Sequence, residues 1–291
     1  MVNILIGLGS PSDLKLLERL DALMATKPAD ADIYVGIASA HRTPEKVEEF
    51  ARTKLGGLPW DVIIAGAGLT NALVSDYVRM ADLGTIVIGL PISDKATDGL
   101  SSLLSSSELP PGYPVGCVKI DRIDNALTLG YLAASKEYDS AIVYSGNVSN
   151  DFAEKIASEL KKLGVSNEIV KYVSKCNEKN KLAISAIGSE ILNRGLVISG
   201  YPHKLSLISK IDAAEYIEVI IKSIPYNTLN VGILNPTNVA IYAAKIIGRK
   251  NPEILENIKN ELVKGRQKYE GHKQLHVLKD LNDLKKLTEV K

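Results

Sequence analysis

The feature that most constrains this chain is a regular alternation of short apolar runs with longer amphipathic stretches. Val2 to Ile6, Ile33 to Ile37, Asp61 to Ala65, Thr85 to Leu90 and Val115 to Ile120 are too short for helices and read as buried strands. Between them, apolar residues recur at helical spacing. Leu16, Leu17, Leu20, Leu23 and Met24 form one such face, and Val47, Phe50, Ala51 and Leu55 form another behind Pro44. Further helices are expected from about Thr70 and from about Asp124 to Ala134. Strands alternating with helices predict an α/β fold, a parallel sheet covered on both faces.

From Lys136 the pattern starts again. Ala141 to Tyr144 is a strand, and Gly146-Asn147-Val148-Ser149-Asn150 stands where Gly9-Ser10-Pro11-Ser12-Asp13 stood in the first half. Phe152, Ile156, Leu160 and Leu163 line one helix, Glu168 to Val173 makes a strand, Leu196 to Gly200 echoes Val62 to Gly66, and Val231-Gly232 echoes Val115-Gly116. Two tandem copies of one unit are the economical reading. The expected domains are 1–136, 137–269 with closing helices that start at Asn235-Pro236 and Asn251-Pro252-Glu253, and a charged tail, 270–291. The second copy is the shorter. The Ser-rich segment 92–112 has no counterpart there, and Cys176-Asn177-Glu178-Lys179 occupies the place of Ser39-Ala40-His41-Arg42.

Composition excludes several classes. With 45% apolar and 24% charged residues in 291, the chain reads as a soluble globular protein with a core of useful size. Lys+Arg 35 against Asp+Glu 34 gives no electrostatic ground for a nucleic-acid partner. The opening MVNILIGLGS is too short to span a bilayer and lacks a basic n-region, so no membrane partner and a cytoplasmic location are expected. Two cysteines, Cys117 and Cys176, make no disulfide framework. His272 and His276 are four apart with no third ligand beyond Asp280, and His203 stands alone, so no metal site is expected.

Residues with chemical capacity gather after the apolar runs, where open α/β sheets carry their sites. In Gly9-Ser10-Pro11-Ser12-Asp13, two hydroxyls and free N–H groups at a helix start suit a phosphate, and Asp13 suits ribose hydroxyls. Taken alone, Ser10 and Asp13 also read as helix caps. Ser39-Ala40-His41-Arg42-Thr43-Pro44 follows the second strand, with Thr43 as cap of a helix that begins at Pro44. Arg42 offers phosphate a planar fork of donors, and His41 is either a general acid–base or a hydrogen-bonded structural residue. Gly66-Ala67-Gly68 permits close backbone approach or makes only a tight turn, and Asn71 adds a neutral donor and acceptor. The serines at 101, 102, 105, 106 and 107 read as a mobile lid, a polar loop or a short helix.

In this order these motifs resemble the PurE family of purine biosynthesis. The resemblance runs through most of residues 2 to 134: the Gly9 to Asp13 loop, Ser39 to Pro44, Ala65-Gly66-Ala67-Gly68, then Ser101 to Ser105 with Leu109-Pro110-Pro111-Gly112-Tyr113-Pro114-Val115. Asn235-Pro236-Thr237-Asn238-Val239-Ala240 through Lys250-Asn251-Pro252-Glu253-Ile254 looks like the family's C-terminal helices. The resemblance implies a flavodoxin-like three-layer fold and a homo-oligomer with sites between subunits, built here from four tandem chains. It also implies carboxylation of 5-aminoimidazole ribonucleotide without metal, ATP or organic cofactor. His41 would be catalytic. Ser10, Ser12, Asp13, Ser39, Arg42, Gly66, Gly68, Asn71 and Leu73 would bind the ribonucleotide and the new carboxylate.

One departure separates the family's two branches. The mutase branch carries a second histidine after the third strand, where this chain has Ala72, whereas Thr70-Asn71-Ala72-Leu73 and Pro91-Ile92-Ser93-Asp94 are similar to the branch that uses carbon dioxide directly. Leu69, where that branch has Arg, and Arg42-Thr43-Pro44 lean the other way. The expectation is a carboxylase, with the mutase as alternative and a non-catalytic ribonucleotide-binding protein as a third reading.

Overall fold

The computed structural model describes residues 1–20, 28–145, 151–171, 180–186, 197–201, 228–233 and 235–267. The Gly146 to Asn150 echo, the Cys176 segment, His203, His272, His276 and the tail 270–291 lie outside the described residues.

The first half places β1 (Val2–Leu8), β2 (Ala31–Ile37), β3 (Val62–Ala67), β4 (Ile86–Pro91) and β5 (Gly116–Cys117) side by side as parallel neighbours. Its helices are α1 (Pro11–Leu20), which is 3-10 in character, α2 (Pro44–Arg52), α3 (Ala72–Met80), α4 (Leu100–Ser107) and α5 (Ile123–Ser135). The second half contributes β6 (Ser140–Tyr144), α6 (Asp151–Lys162), β7 (Asn167–Val170), β8 (Lys181–Ser185), β9 (Val197–Tyr201), β10 (Thr228–Ile233), α7 (Pro236–Gly248) and α8 (Pro252–Gln267).

All ten strands form one sheet in the order β2-β1-β3-β4-β5-β10-β9-β8-β6-β7. Read outward from its middle, each half runs fifth, fourth, third, first, second in its own chain order. The halves meet where β10 pairs antiparallel with β5, at Asn230 and Cys117. The sheet is therefore parallel within each half, as expected, and mixed as a whole, because the two five-stranded units run in opposite directions where they meet.

The alternation of side chains along each strand sorts the first half's core into two layers. Ile4, Ile6 and Leu8 of β1 face the same side as Ile64, Ile86 and Ile88, under α1 and α5. Leu5, Ile63 and Val87 face the other side, with Trp60, Val74 and Tyr77. The edge strand β2 shows apolar side chains to solvent at Tyr34 and Val35, and the opposite edge strand β7 does so at Ile169.

Several boundaries differ from expectation. The helix after Pro44 ends at Arg52, and Leu55 instead bridges to Leu58. The fifth strand is two residues long, and beyond it the chain turns at Asp121, whose N–H donates to the Pro91 carbonyl (2.8 Å) and whose carboxylate accepts from Ser93 N–H (2.9 Å). Strand β8 was not anticipated.

Helix α7 lies across both halves. Its Tyr242 hydroxyl donates to the Val87 carbonyl (3.2 Å), and Asn238 donates to the Leu109 and Pro110 carbonyls and accepts from Gly112 N–H (2.8 Å). Beyond its end, Arg249 pairs with Asp61, which also accepts from Asn3 N–H (2.7 Å). Both partners are about four-fifths buried, so solvent screens the pair only in part. Arg249→Ala is expected to cost about 1–3 kcal/mol in urea unfolding. Asp61→Ala should cost more, because it also strands the Asn3 donor. Equal losses would show that the ion pair carries the whole effect.

Candidate functional site

The order β2-β1-β3 fixes where a site can form. After β1 the chain moves to the layer of α1, and after β3 it moves to the opposite layer of α3, so the loops part and leave a crevice at the carboxyl ends of the strands. Three loops meet there. Leu8 lies in register with Ile37 and Gly66, Gly9 N–H donates to the Gly66 carbonyl (2.8 Å), and Ala38 N–H donates to the Leu8 carbonyl (2.9 Å). The Ser10, His41 and Gly68 loops thus leave neighbouring strands spaced about 5 Å apart.

The first loop is a small hydroxyl cluster. Ser10 Oγ and Ser12 Oγ share a hydrogen bond (2.8 Å), and Ser12 N–H donates to Ser10 Oγ (3.3 Å). Ser12 is exposed at the start of α1, where first-turn N–H groups have no helical partner. Asp13 sits below it, 7% exposed. Its N–H donates to the Ser10 carbonyl (3.0 Å) and its Oδ1 accepts from Ser12 Oγ (3.4 Å). Oδ2 is buried with no partner among the described residues. Burial pushes the Asp13 carboxyl above the usual carboxylate range, against the smaller opposing pull of its Ser10 and Ser12 hydrogen bonds and of Lys15.

The second loop is clamped at its base. Ser39 N–H donates to Thr43 Oγ1 (2.9 Å), Thr43 N–H donates to the Ser39 carbonyl (2.9 Å), and Arg42 N–H donates to Ser39 Oγ (3.3 Å). Thr43 holds the cap position of α2, yet its hydroxyl serves Ser39 rather than the helix. The clamp leaves His41 and Arg42 exposed at the tip. Ser39 is thus a brace for the loop, with both its N–H and its Oγ engaged.

In the third loop three of the expected residues are packed into the core. Gly66 is buried, and a Cβ there would lie 3.1 Å from both Leu8 and Leu90 side chains, so this glycine serves core packing rather than ligand approach. Leu73 is 1% exposed, a core residue. Only its main-chain N–H, in the first turn of α3, is of a kind that could meet a ligand. Asn71 is fully buried, and its Nδ2 donates to the Ala65 carbonyl (3.0 Å), the Leu90 carbonyl (3.4 Å) and Ser106 Oγ (3.2 Å). Its amide nitrogen joins β3, β4 and α4, and its Oδ1 is buried with no partner among the described residues. Gly68 remains at the open end, where a Cβ would meet Asp94 and the Ile92 carbonyl only at 3.6 Å.

The Ser-rich segment is helix α4, not a lid. Ser102 Oγ donates to the Ala67 carbonyl (2.6 Å) and accepts from Ile92 N–H (3.3 Å), while Ser105 Oγ accepts from Asn71 N–H (2.9 Å). Asp94, absent from the expected site, pins the neighbouring loop. It accepts from Ala96 N–H (2.8 Å), Thr97 N–H (2.9 Å) and Thr97 Oγ1 (2.8 Å), and its pKa is lowered, first by the Thr97 hydroxyl and further by backbone N–H groups that include Leu69. The signal for Asp94 was its place beside Pro91-Ile92-Ser93. Among the described residues no group of three or more His, Cys, Asp or Glu side chains could hold a metal. Nor is any described helix long and apolar enough to cross a membrane.

The family described as AIR carboxylase matches residues 3–141. The chain is 40% identical over 139 residues to the N5-carboxyaminoimidazole ribonucleotide mutase of Pyrococcus abyssi, covering 47% of this chain and 76% of that protein. It is 40% identical over 174 residues to the mutase of the same name from Methanocaldococcus jannaschii, 59% of this chain and 99% of that protein. To the phosphoribosylaminoimidazole carboxylase of Schizosaccharomyces pombe it is 34% identical over 167 residues, 56% of this chain and 29% of that protein.

Two outcomes follow from the hydrogen bonding. Asn71→Ala is expected to lower stability by about 1–3 kcal/mol in urea, whereas exposed Ser12→Ala should stay within about 0.5 kcal/mol. A carboxyl whose folded pKa lies above its unfolded value stabilises below the unfolded pKa, and that contribution is lost as pH rises through the folded pKa. Asp13→Asn should therefore raise the melting temperature more at pH 7 than at pH 4. A gain of equal size at both would refute the burial argument.

Proposed function

The chain belongs to the AIR carboxylase family, and from that premise we propose that its first half carboxylates 5-aminoimidazole ribonucleotide with carbon dioxide in purine biosynthesis. The observation that carries this reading is the convergence of the Ser10-Ser12 hydroxyls, Asp13 and the clamped His41-Arg42 tip on one crevice. Ser10, Ser12 and the first N–H groups of α1 bind the phosphate, with Arg42 reaching it from the adjacent loop. Asp13 takes the ribose hydroxyls once the Ser10-Ser12 turn opens, which gives its unmet Oδ2 the donors it lacks.

The electron-rich ring carbon forms a bond to carbon dioxide, and the proton on that carbon must then leave to restore aromaticity. His41 accepts it. Exposure at a loop braced from beneath suits an imidazole that must receive a proton and pass it to water. First-turn N–H groups of α3 and the main chain at Gly68 hold the new carboxylate. The residues that sequence placed beside the ligand, Asn71 and Gly66, contribute by holding this loop in place.

The mutase is the second reading, favoured by the names of the archaeal relatives. It would move a carboxylate already present on the exocyclic nitrogen of the substrate. Ala72, where the mutase branch carries its second histidine, supports the carboxylase. We further read residues 137–269 as a second copy of residues 1–136 that lacks the imidazole and guanidinium, and the assembly as a homo-oligomer of tandem chains.

Carbon-dioxide-dependent formation of the carboxylated product by the purified protein alone is the expected result. Turnover only of the N-carboxylated substrate, without added bicarbonate, would establish the mutase instead. His41→Asn should reduce kcat by at least about a hundredfold with ribonucleotide binding retained. Unchanged turnover would remove His41 from the chemistry.

A further inference from the structure

A second polar feature lies between α3, α7 and α8, which line an open cavity of about 220 Å³. Its lining includes Arg79, Lys245, Lys259 and Arg266 but only one carboxylate, Asp82. Asp82 is already engaged by Lys54 (3.1 Å), Arg79 pairs with Asp76 (3.0 Å), and Lys259 pairs with Glu256 (3.2 Å). Lys245 and Arg266 have no ion pair or hydrogen bond among the described residues.

Lys245 is the unusual member. It is 5% exposed, on a helix whose residues from Asn238 to Gly248 are all buried, and it lines the cavity with no counter-charge among the described residues, where desolvation of an ammonium is costly. Lysine is an unlikely choice for such a place unless something anionic repays its desolvation, since methionine would fill the same space at no electrostatic cost. Burial lowers its pKa to about 8, so the side chain still carries its charge in most molecules at neutral pH. The remaining walls, Leu262 among them, are largely apolar.

We propose that this cavity is a second anion site, built for a small phosphate monoester with a compact apolar body. The phosphate meets Lys245 inside and Arg266 and Arg79 at the rim, and the body lies against the apolar wall. Two cations without partners among the described residues match the charge of a phosphate dianion, and the cavity's volume suits a small apolar body. Because α3 belongs to the first half and α7 and α8 to the C-terminal part of the chain, an occupant ties these elements together. The site is independent of the Ser10 crevice and of any turnover there.

Phenyl phosphate, titrated calorimetrically at fixed ionic strength into the full chain carrying Arg42→Ala, isolates this site from the crevice. Saturable binding of one equivalent, with a rise in melting temperature, is expected. Adding Lys245→Met should weaken affinity by at least about tenfold. Should that variant not fold, the double variant Arg79→Ala and Arg266→Ala, at solvent-accessible positions, should weaken binding while leaving the ligand-free melting temperature in place. Non-saturable binding, or saturable binding that survives these substitutions undiminished, overturns the proposal. A protein that fails every turnover assay yet shows the Lys245-dependent binding would refute the enzymatic reading alone.

Discussion

Parallel strands end in loops that diverge, and unless something crosses between them the carboxyl ends of the sheet are free to part. In the first half that crossing is made by Asn71. A single fully buried amide donates to the carbonyls of Ala65 and Leu90 and to Ser106, and its own N–H is held by Ser105. Ser102 adds the Ala67 carbonyl and the Ile92 N–H to the same seam. In so dry a place each of these bonds is worth more than at the surface, and each lost partner leaves an orphan. The Gly68 and Asp94 loops are therefore presented by a fixed frame, and α3 begins at a defined point beside them.

The proposed chemistry divides its residues between frame and tip. Ser39 and Thr43 spend their hydroxyls inside the loop, and this leaves His41 and Arg42 free at its outer turn. Asp13 lies at the opposite extreme. Its carboxylate is buried beneath two serines with one oxygen unmet, an arrangement that weakens the empty protein and is relieved when a donor arrives. Local instability of this kind belongs with binding sites rather than with cores.

What was legible in the sequence follows from which signals are periodic. The apolar runs of β1, β3 and β4 are buried on both faces, so their composition alone marks them. The loops after β1 and β2 were legible as sites because Ser, Asp, His and Arg stand where apolar runs stop. The seam was not, because a motif gives residue types and not the direction in which a side chain points. Asn71, Gly66 and Leu73 occupy the right loop and face inward. The serines of α4 left lid, polar loop and short helix open because serine is a weak helix former, and the contacts with β3 and β4 explain why they are helical. The strand β8 escaped because five residues beginning with lysine carry little periodic signal.

The middle of the sheet poses a different problem. One paired position, Asn230 with Cys117, is a slender connection between two five-stranded halves, and both polar atoms of the Asn230 side chain are buried there without partners among the described residues. Such a junction does not hold by its own hydrogen bonds. Helix α7 supplies what it lacks: Gly116 leaves room for the Tyr242 ring, since a Cβ there would come within 2.6 Å of the hydroxyl, and the same helix reaches Leu109 and Pro110. Its other side packs into the core shared with Phe152, Ile156 and Leu182. The first half's framework thus depends on residues more than a hundred positions away in the chain. A parallel sheet half that ends in a two-residue edge strand needs such a cover, and here the chain provides it from its own C-terminal region.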